Sequence, residues 1–319
     1  MPNFMSRSNL IKVAKLYYIG NMSQDQIASI LGVSRPKISR MLKMCREKRI
    51  VEFKINTSPS SSSEIASKIK EHFHLKDVIV VPSCSALESC KETVGKAAAE
   101  YLNMHLKPKI MIGITWGTTT NYMVNSFQPN QLADRSFIIQ LSGGLHSQSM
   151  SLDARELVKT LALKLNAKWL LLQTPLVVQN KLLKKLLIEE PQIKRHFYMF
   201  NEVDIAFVGL GSSHPEESVT YKAGYITKAE AVQLEAEGYG ADICGHRLDI
   251  DGNQVETILT DRVLSIGLDT LQKIPVVVGI GAGEEKAHSI IAGAKGGYLD
   301  ALIIDEVAAI AVMGLEKIL

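Results

Sequence analysis

The segment that most constrains this chain is Met22–Val51, which reads MSQDQIASILGVSRPKISRMLKMCREKRIV. Ser23 followed three residues later by Gln26 is a capping-box pattern and predicts the start of a helix. Gly32 lies where a left-handed residue would end that helix, and Ser34, followed by a proline in the first turn, predicts the start of a second helix. Two short helices joined by a tight glycine turn are typical of a helix-turn-helix unit.

The second of these helices is basic at its start. Ile38, Met41 and Leu42 fall on one face and are expected to point inward, and an earlier helix, roughly Ser8–Ile19, supplies apolar side chains that complete a three-helix core. A recognition helix places its N-terminal residues against base edges in the major groove, so the polar side chains on its outer face are the candidates for DNA contact. These candidates are Ser34, Arg35, Lys37, Ser39 and Arg40.

Charge divides the chain in the same region. Residues 1–56 hold 11 lysines and arginines against 3 acidic residues, a net charge of +8, whereas the remainder holds 25 against 30, a net of −5. A basic head on an acidic body indicates that the head binds nucleic acid. The stretch TSPSSSS at residues 57–63 lacks an apolar anchor and predicts a linker. The expected domains are a helix-turn-helix domain over 1–56 and a larger domain over 64–319.

The composition excludes several classes of protein. The 319 residues are 46% hydrophobic, enough for a sizeable core, but no apolar run reaches the roughly 18 residues that a transmembrane helix needs. The N-terminus lacks the pattern of a signal peptide, and the four cysteines show neither metal-ligand spacing nor a disulfide framework. We therefore expect a cytoplasmic bacterial protein without a membrane segment, a metal or a cofactor.

Beyond the linker, apolar segments of strand length alternate with helical segments. The predicted strands are Lys76–Pro82, Lys109–Ile114, Phe137–Leu141, Trp169–Gln173, Val203–Leu210, Pro275–Ile280 and Ala301–Ile304, with Arg262–Gly267 as a weaker element. Near-continuous apolar strands separated by helices predict a mostly parallel sheet that is covered on both faces. The expected fold class is therefore α/β, with a three-helix head followed by a doubly covered sheet domain.

Ligands of such sheets bind beyond the carboxyl ends of the strands, and this chain places unusual residues there. The strand KIMIGI is followed directly by Thr115, Trp116, Gly117, Thr118 and Thr119. Glycine permits a close approach of the backbone, and hydroxyls beside free amides at a helix start suit an anion such as phosphate. The alternative, in which the threonines only cap the helix, stays open.

Two charged residues near other strand ends are further candidates. Lys286 lies in the first turn of a predicted helix, against the preference of the helix dipole, and indicates an anionic partner, either a nearby carboxylate or a bound phosphate. Asp242 lies in the stretch GYGADICGHRLDIDG, which we expect to form a long loop at the sheet edge. This aspartate could accept hydrogen bonds from sugar hydroxyls or only stabilise its own turn. Glu284 and Glu285 after Gly283 would repel a pyrophosphate, which argues against a dinucleotide site.

Four stretches, taken in order, resemble the SorC/DeoR-type sugar-binding transcriptional regulators. They are SQDQIASILGVSRPKISRML, GITWGTTT, GYGADICGHRLDIDG and the tail that begins VVVGIGAGEEKAHSIIAG. The resemblance covers nearly the whole chain. It implies a body similar to phosphosugar isomerases, such as the ribose-5-phosphate and glucosamine-6-phosphate enzymes, that has lost their chemistry and therefore has no catalytic residues. It also implies three partners: operator DNA, a phosphorylated sugar, and further copies of the chain in a tetramer.

The resemblance assigns roles to particular residues. The matches to the family's phosphate-binding loop are Gly113, Thr115, Trp116, Gly117, Thr118 and Thr119, and the matches to its second loop are Gly143 and Gly144. Asp242 matches an acidic ligand-contacting position, and Lys286 matches a lysine of the terminal helix that is expected to meet phosphate. The family usually has serine in place of Thr115, a change that keeps the hydroxyl. Some members hold their ligand through a lysine in the strand before the second loop. That strand is FIIQL here, so a covalent sugar adduct is not expected.

Three functions are compatible with these patterns. The favoured one is a transcriptional regulator whose operator binding is controlled by a phosphorylated sugar. The alternative is a phosphosugar isomerase-like enzyme with an appended helical domain, for which Asp242 and Asp249 are the candidate general bases. A third is a sugar-sensing body that carries a helical protein-interaction module and binds no DNA.

Overall fold

The computed structural model describes residues 6–20, 22–48, 50–51, 59–131, 133–145, 153–212, 218–237 and 241–318. The chain divides into two units, Met1–Thr57 and Ser58–Leu319. The second unit holds the sheet and the cavity beyond its strand ends, and the first holds three short helices.

The helices of the first unit begin and end where their capping residues predict. They are α1 (Arg7–Ala14), which continues into a π-helical turn at Lys15–Ile19, α2 (Gln24–Leu31) and α3 (Arg35–Glu47). The capping box of α2 is present: the Gln26 amide donates to Ser23 Oγ over 3.2 Å, and the Ser23 amide donates to Gln26 Oε1 over 2.9 Å. Gly32 ends α2 in the left-handed conformation, with φ of 63°. Ser34 precedes α3, but its side chain makes no capping hydrogen bond.

The three helices of the first unit enclose a small apolar core. Ile38, Met41 and Leu42 point inward as predicted, so the outer face of α3 is left to polar side chains. The buried residues of this core are Leu10, Val13, Ala14, Ile27, Ala28, Ile38, Met41, Leu42 and Cys45.

The second unit alternates strands and helices. Its strands are β1 (Asp77–Val81), β2 (Met111–Ile114), β3 (Phe137–Gln140), β4 (Lys168–Leu170), β5 (Ile205–Ser212), β6 (Ala241–Ile243), β7 (His246–Leu248), β8 (Val276–Gly281) and β9 (Ala301–Asp305). Its helices are α4 (Pro59–Phe73), α5 (Leu87–His105), α6 (Thr118–Ser126), α7 (Ala154–Leu165), α8 (Lys181–Glu189), α9 (Pro191–Met199), α10 (Val219–Lys222), α11 (Lys228–Ala236), α12 (Leu268–Leu271), α13 (Ala287–Lys295) and α14 (Glu306–Glu316).

Seven of the strands form one parallel sheet in the order β1-β9-β8-β5-β2-β3-β4. Side chains alternate between its faces, so Phe207 belongs to the apolar cluster that includes buried residues of α5, α6 and α7, while the next residue, Val208, belongs to the cluster that includes buried residues of α4, α13 and α14. The expected fold, a mostly parallel sheet covered on both faces, is confirmed. The end of β5 extends beyond the parallel sheet and pairs with the antiparallel hairpin β6–β7.

The stretch GYGADICGHRLDIDG is not the long loop that we predicted. Ala241–Ile243 and His246–Leu248 form an antiparallel hairpin, and its two turn residues, Cys244 and Gly245, both have positive φ, of 55° and 85°. Two-residue hairpin turns require this conformation, which is usually supplied by asparagine, aspartate or glycine. A cysteine at the first turn position therefore gave no hairpin signal in the sequence.

The predicted linker over residues 57–63 is also wrong over most of its length. Helix α4 begins at Pro59, so residues 59–63 are helical. Residues 57–58 lie outside the described residues. A proline is pre-organised for the first turn of a helix. Ile69, which lies on a later turn of α4, is fully buried against the sheet. Packing of the later turns therefore overrides the weak helix propensity of the serines.

Two smaller differences concern elements near the cavity. The helix predicted from Glu284 begins as a 3₁₀ turn, Glu284–Lys286, before α13. The weak element predicted at Arg262–Gly267 forms isolated bridges, at Val263 with Val177 and at Ser265 with Ser142.

Candidate functional site

A cavity of about 630 Å³ lies beyond the carboxyl ends of β2, β5 and β8. Parallel sheets of this kind bind their ligands at this edge. Its walls come from the loop between β2 and α6, from the end of β5, from α10 and from the turn before α13. The lining residues are Lys91, Thr115, Trp116, Gly117, Thr118, Thr119, Thr120, Leu145, Gly209, Leu210, Gly211, Val219, Lys222, Ala223, Gly224, Asp242, Cys244, Ile280 and Lys286.

The loop between β2 and α6 leaves the helix start open to the cavity. Gly117 precedes α6 with φ of 148°, a conformation that other residues rarely adopt, and no side chain caps the helix. The first amides of α6 therefore have no side-chain capping partner at the cavity wall, which suits an anion. Two lining polar atoms are also buried without a hydrogen-bond partner, the indole Nε1 of Trp116 and the hydroxyl of Thr120. Thr120 was not among the residues predicted from the sequence.

Thr115 has a structural task that the sequence did not reveal. Its hydroxyl accepts a hydrogen bond from the Gly209 amide over 3.0 Å and donates to the carbonyl oxygen of Trp116 over 3.3 Å. The hydroxyl thus fastens the end of β5 to the loop after β2. Thr118 and Thr119, the other two predicted hydroxyls of this loop, line the cavity from the first turn of α6.

Three lysines from separate elements line the cavity. Lys286 comes from the 3₁₀ turn before α13, and its side chain is only 15% exposed and lies 3.7 Å from Glu285 Oε1. Lys91 comes from α5 and Lys222 from α10. Neither Lys91 nor Lys222 lies near a glycine-rich strand end, so no motif in the sequence indicated them. The cavity lining therefore includes three ammonium groups, of which Lys91 lies 3.4 Å from Glu88 Oε2 and Lys286 lies near Glu285.

The position of Lys91 depends on close packing of α5 against α6. A side chain at Gly95 would collide with Tyr122 of α6, so glycine lets the two helices approach. This contact brings Lys91, one turn before Gly95 on α5, to the cavity that the start of α6 also lines. No local pattern around Lys91 could have shown that approach, since it depends on a residue from another element.

Asp242 lines the cavity but is already partnered. Its Oδ2 lies 2.9 Å from Arg247 Nη1, and its Oδ1 accepts from the Gly245 amide over 2.9 Å. Both side chains of the ion pair are almost completely buried. Arg247 also donates to Thr220 Oγ1 over 2.9 Å, which ties the hairpin to α10, the helix that carries Lys222. Asp242 therefore stabilises its own turn, one of the two roles that the sequence left open. Its role in ligand contact stays a prediction.

Cys244, beside this pair, also lines the cavity. Burial raises the pKa of its thiol well above the usual range, with the negative charge of Asp242 acting in the same direction. The thiol is therefore protonated near neutral pH and is a poor nucleophile.

Three of the predicted ligand residues do not line the cavity. A side chain at Gly113 would meet Leu141, and one at Gly143 would collide with the carbonyl group of Pro175. A side chain at Gly144 would meet the guanidinium of Arg155. The structure thus gives these three glycines packing roles, and their contact with a ligand stays a prediction.

The strand before the second loop contains no lysine, and its polar side chain is Gln140. The Gln140 side chain is fully buried, donates to the Ser142 carbonyl over 2.6 Å and accepts from the Leu172 amide over 3.2 Å. It supports the backbone of the loop and offers no amine.

The DNA-contact candidates of the first unit lie on the surface of α3 and just before it. Ser34, Arg35, Ser39 and Arg40 are exposed, and Lys37 is partly buried. Arg35 Nε lies 3.7 Å from Asp25 Oδ2, and since both side chains are largely exposed this pair is weak. The structure thus leaves the basic start of α3 accessible.

Two further expectations concern metals and membranes. In the described ranges, the histidine, cysteine and acidic side chains nowhere gather into a group that could hold a metal ion. None of the helices in those ranges has the length and apolar character to cross a bilayer.

Comparison with known proteins places this architecture in a family. Residues 58–314 match the family model Sugar-bind, a sugar-binding domain. The chain is 30% identical over 299 residues to the sorbitol operon regulator of Klebsiella pneumoniae, with 92% of this chain and 94% of that protein covered. It is 27% identical to the deoxyribonucleoside regulator of Bacillus subtilis, with 93% and 94% covered.

Solved structures agree with these sequence matches. The crystal structure of the full-length sorbitol operon regulator SorC from Klebsiella pneumoniae superposes with a TM-score of 0.75 at 29% identity, covering 95% of this chain and 97% of that chain. The resemblance stated from the sequence motifs is confirmed. The chain belongs to the SorC/DeoR-type family of sugar-binding transcriptional regulators.

Proposed function

We propose that this regulator binds operator DNA through α3 and that a phosphorylated sugar in the cavity controls that binding. The observation that carries the proposal is that three lysines and the uncapped start of α6 line the same cavity. Phosphate binds at helix starts because the free amides and the helix dipole favour negative charge. A volume of about 630 Å³ is ample for a sugar phosphate.

The DNA-binding part of the proposal rests on the first unit. The helix-turn-helix arrangement of α2 and α3, the net charge of +8 over residues 1–56 and the exposed Arg35 and Arg40 support it. Arg and Lys side chains at the start of a recognition helix contact bases and phosphates. Because one such unit binds weakly, we propose that copies of the chain assemble, as a tetramer, to engage paired half-sites in the cytoplasm.

The proposal holds that the cavity has no catalytic function. Among the described lining residues, Asp242 is the one acid, and its carboxylate is held by buried Arg247. A general base for aldose–ketose isomerisation needs a pKa near the working pH and access to the substrate's carbon-bound proton. The Asp242 carboxylate is already held by the buried Arg247 guanidinium and by the Gly245 amide, so it is not free to approach a carbon-bound proton of a bound sugar, and the arrangement favours a sensor over the isomerase-like alternative.

The test is a titration of labelled DNA from upstream of the protein's own operon. We expect the full-length protein to bind it more tightly than unrelated DNA, and at least one member of a panel of sugar phosphates to change that affinity. The same panel is incubated with protein alone, and we expect no aldose–ketose conversion. The absence of a DNA complex at low salt would overturn the regulator function, whereas turnover of any sugar phosphate would favour the isomerase-like alternative.

A further inference from the structure

Helix α8 turns its apolar side outward. Leu182 is 66% exposed, Leu186 is 57% exposed, and Leu183 is 40% exposed. Leu182 and Leu186 lie one turn apart and therefore point in nearly the same direction. The helix is held at its start, since the Asn180 side chain accepts from the Leu183 amide over 3.0 Å.

The opposite side of α8, which faces the body, carries a lysine. Lys184 Nζ donates to the Thr260 carbonyl over 3.0 Å, and burial lowers the pKa of this amine. Next to it, Lys181 Nζ lies 2.8 Å from Asp261 Oδ2. A surface helix ordinarily buries its leucines and exposes its lysines. Among the apolar residues of α8 only Leu187 and Ile188 are partly buried, and the three other leucines are exposed together. This exposed apolar face indicates that another surface covers the leucines.

The charges around the leucines point to a second copy of the same helix. The segment reads KLLKKLLIEE, with Lys185 in its first half and Glu189 and Glu190 at its end. Glu189 pairs with Lys194 over 2.8 Å, and the nearby charge of Lys185 helps to lower the pKa of Glu189. Neither Lys185 nor Glu190 lies within ion-pair distance of an oppositely charged group among the described residues. When two copies of such a helix pack antiparallel about a two-fold axis, the basic half of each faces the acidic end of the other.

We propose that the α8 face, made of Leu182, Leu183, Leu186, Lys185 and Glu190, is a contact between two copies of this chain. The leucines of the two helices pack against each other, and Lys185 of each copy pairs with Glu190 of the other. The contact supplies one of the interfaces of the assembly in the proposed function and rests on that assembly.

The first test is the molar mass of full-length protein, measured by light scattering after gel filtration. The double variant Leu182→Asp/Leu186→Asp is expected to have half the molar mass of the unchanged protein. Leu163→Asp is the matched control, because Leu163 is an exposed leucine, at 71%, on α7. An unchanged mass in the double variant, an equal loss in the control, or a monomeric unchanged protein overturns the proposal.

A charge exchange keeps the proposal testable if the aspartate variants do not fold. Lys185→Glu and Glu190→Lys each place like charges opposite one another and are expected to raise the concentration at which the assembly dissociates. The combination Lys185→Glu/Glu190→Lys restores opposite charges and is expected to return that concentration to its original value. A combined variant that is weaker than either single variant excludes the antiparallel pairing.

These measurements use neither DNA nor a sugar phosphate. A failure of the α8 contact therefore leaves the proposed function standing if the chain assembles through another face. A failure of DNA or sugar-phosphate binding likewise leaves the mass measurements interpretable.

Discussion

At the scale of single residues, Lys286 is the cavity lysine that both the sequence and the structure identify. The ligand for this test is the sugar phosphate that changes DNA affinity. Lys286→Ala is expected to lower the affinity for this ligand by about tenfold or more, the usual loss for a hydrogen bond to a charged group. Lys295→Ala is the control, because Lys295 pairs with Glu316 and does not line the cavity. Isothermal titration measures both affinities, and equal affinities in the two variants would contradict the placement of phosphate at Lys286.

A second prediction at this scale concerns a glycine whose role is packing. Gly143→Ala is expected to lower the free energy of unfolding by about 1–3 kcal/mol, because the added methyl group would collide with the backbone of Pro175. Gly267→Ala meets open space at an ordinary φ of −71° and is expected to leave stability almost unchanged. Urea denaturation compares the two variants. Equal stability would show that the loop adjusts and that its glycine is kept for another reason.

At the scale of elements, α3 is a helix with a buried side and a basic side. Arg40→Ala is expected to reduce operator affinity by about 1–3 kcal/mol, the usual cost of a lost base contact, without changing the fold of the first unit. Lys12→Ala, which removes an exposed charge from α1, is the control and is expected to have a much smaller effect. Fluorescence anisotropy over a salt series measures both. Identical losses in the two variants would mean that α3 contributes only general positive charge.

The strands and helices of the second unit were largely predictable because their apolar residues occur in runs or at regular spacings along the sequence. The apolar runs gave all seven parallel strands to within a few residues, since a strand buried on both faces admits little else. The hairpin and the start of α4 were missed for opposite reasons. The hairpin depends on a left-handed Cys244, which local preferences disfavour, and α4 begins in serines that only the packing of Ile69 makes helical.

At the scale of the whole molecule, the proposed control of DNA binding requires a coupling between two sites in different units. Lys286→Ala is expected to bind the operator normally but to lose the response to sugar phosphate, and Arg40→Ala is expected to bind sugar phosphate normally. In the unchanged protein, operator DNA must alter sugar-phosphate affinity by the same factor by which the sugar phosphate alters DNA affinity. Titrations of each ligand with and without the other measure both factors. A factor of one in both titrations would rule out coupling between the two sites.

The sequence by itself determined the helix-turn-helix prediction for the first unit, the alternating α/β order of the second unit, the family, and the loop that contains Thr118 and Thr119. These depend on local capping, periodicity and motif order, which neighbouring residues carry. Only the tertiary structure decided that Lys91 and Lys222 join Lys286 at the cavity, that Asp242 is held by Arg247, and that Gly113, Gly143 and Gly144 serve packing. Each of these outcomes depends on contacts between residues far apart in the chain, and the position of a residue in the sequence does not set its distance to such partners.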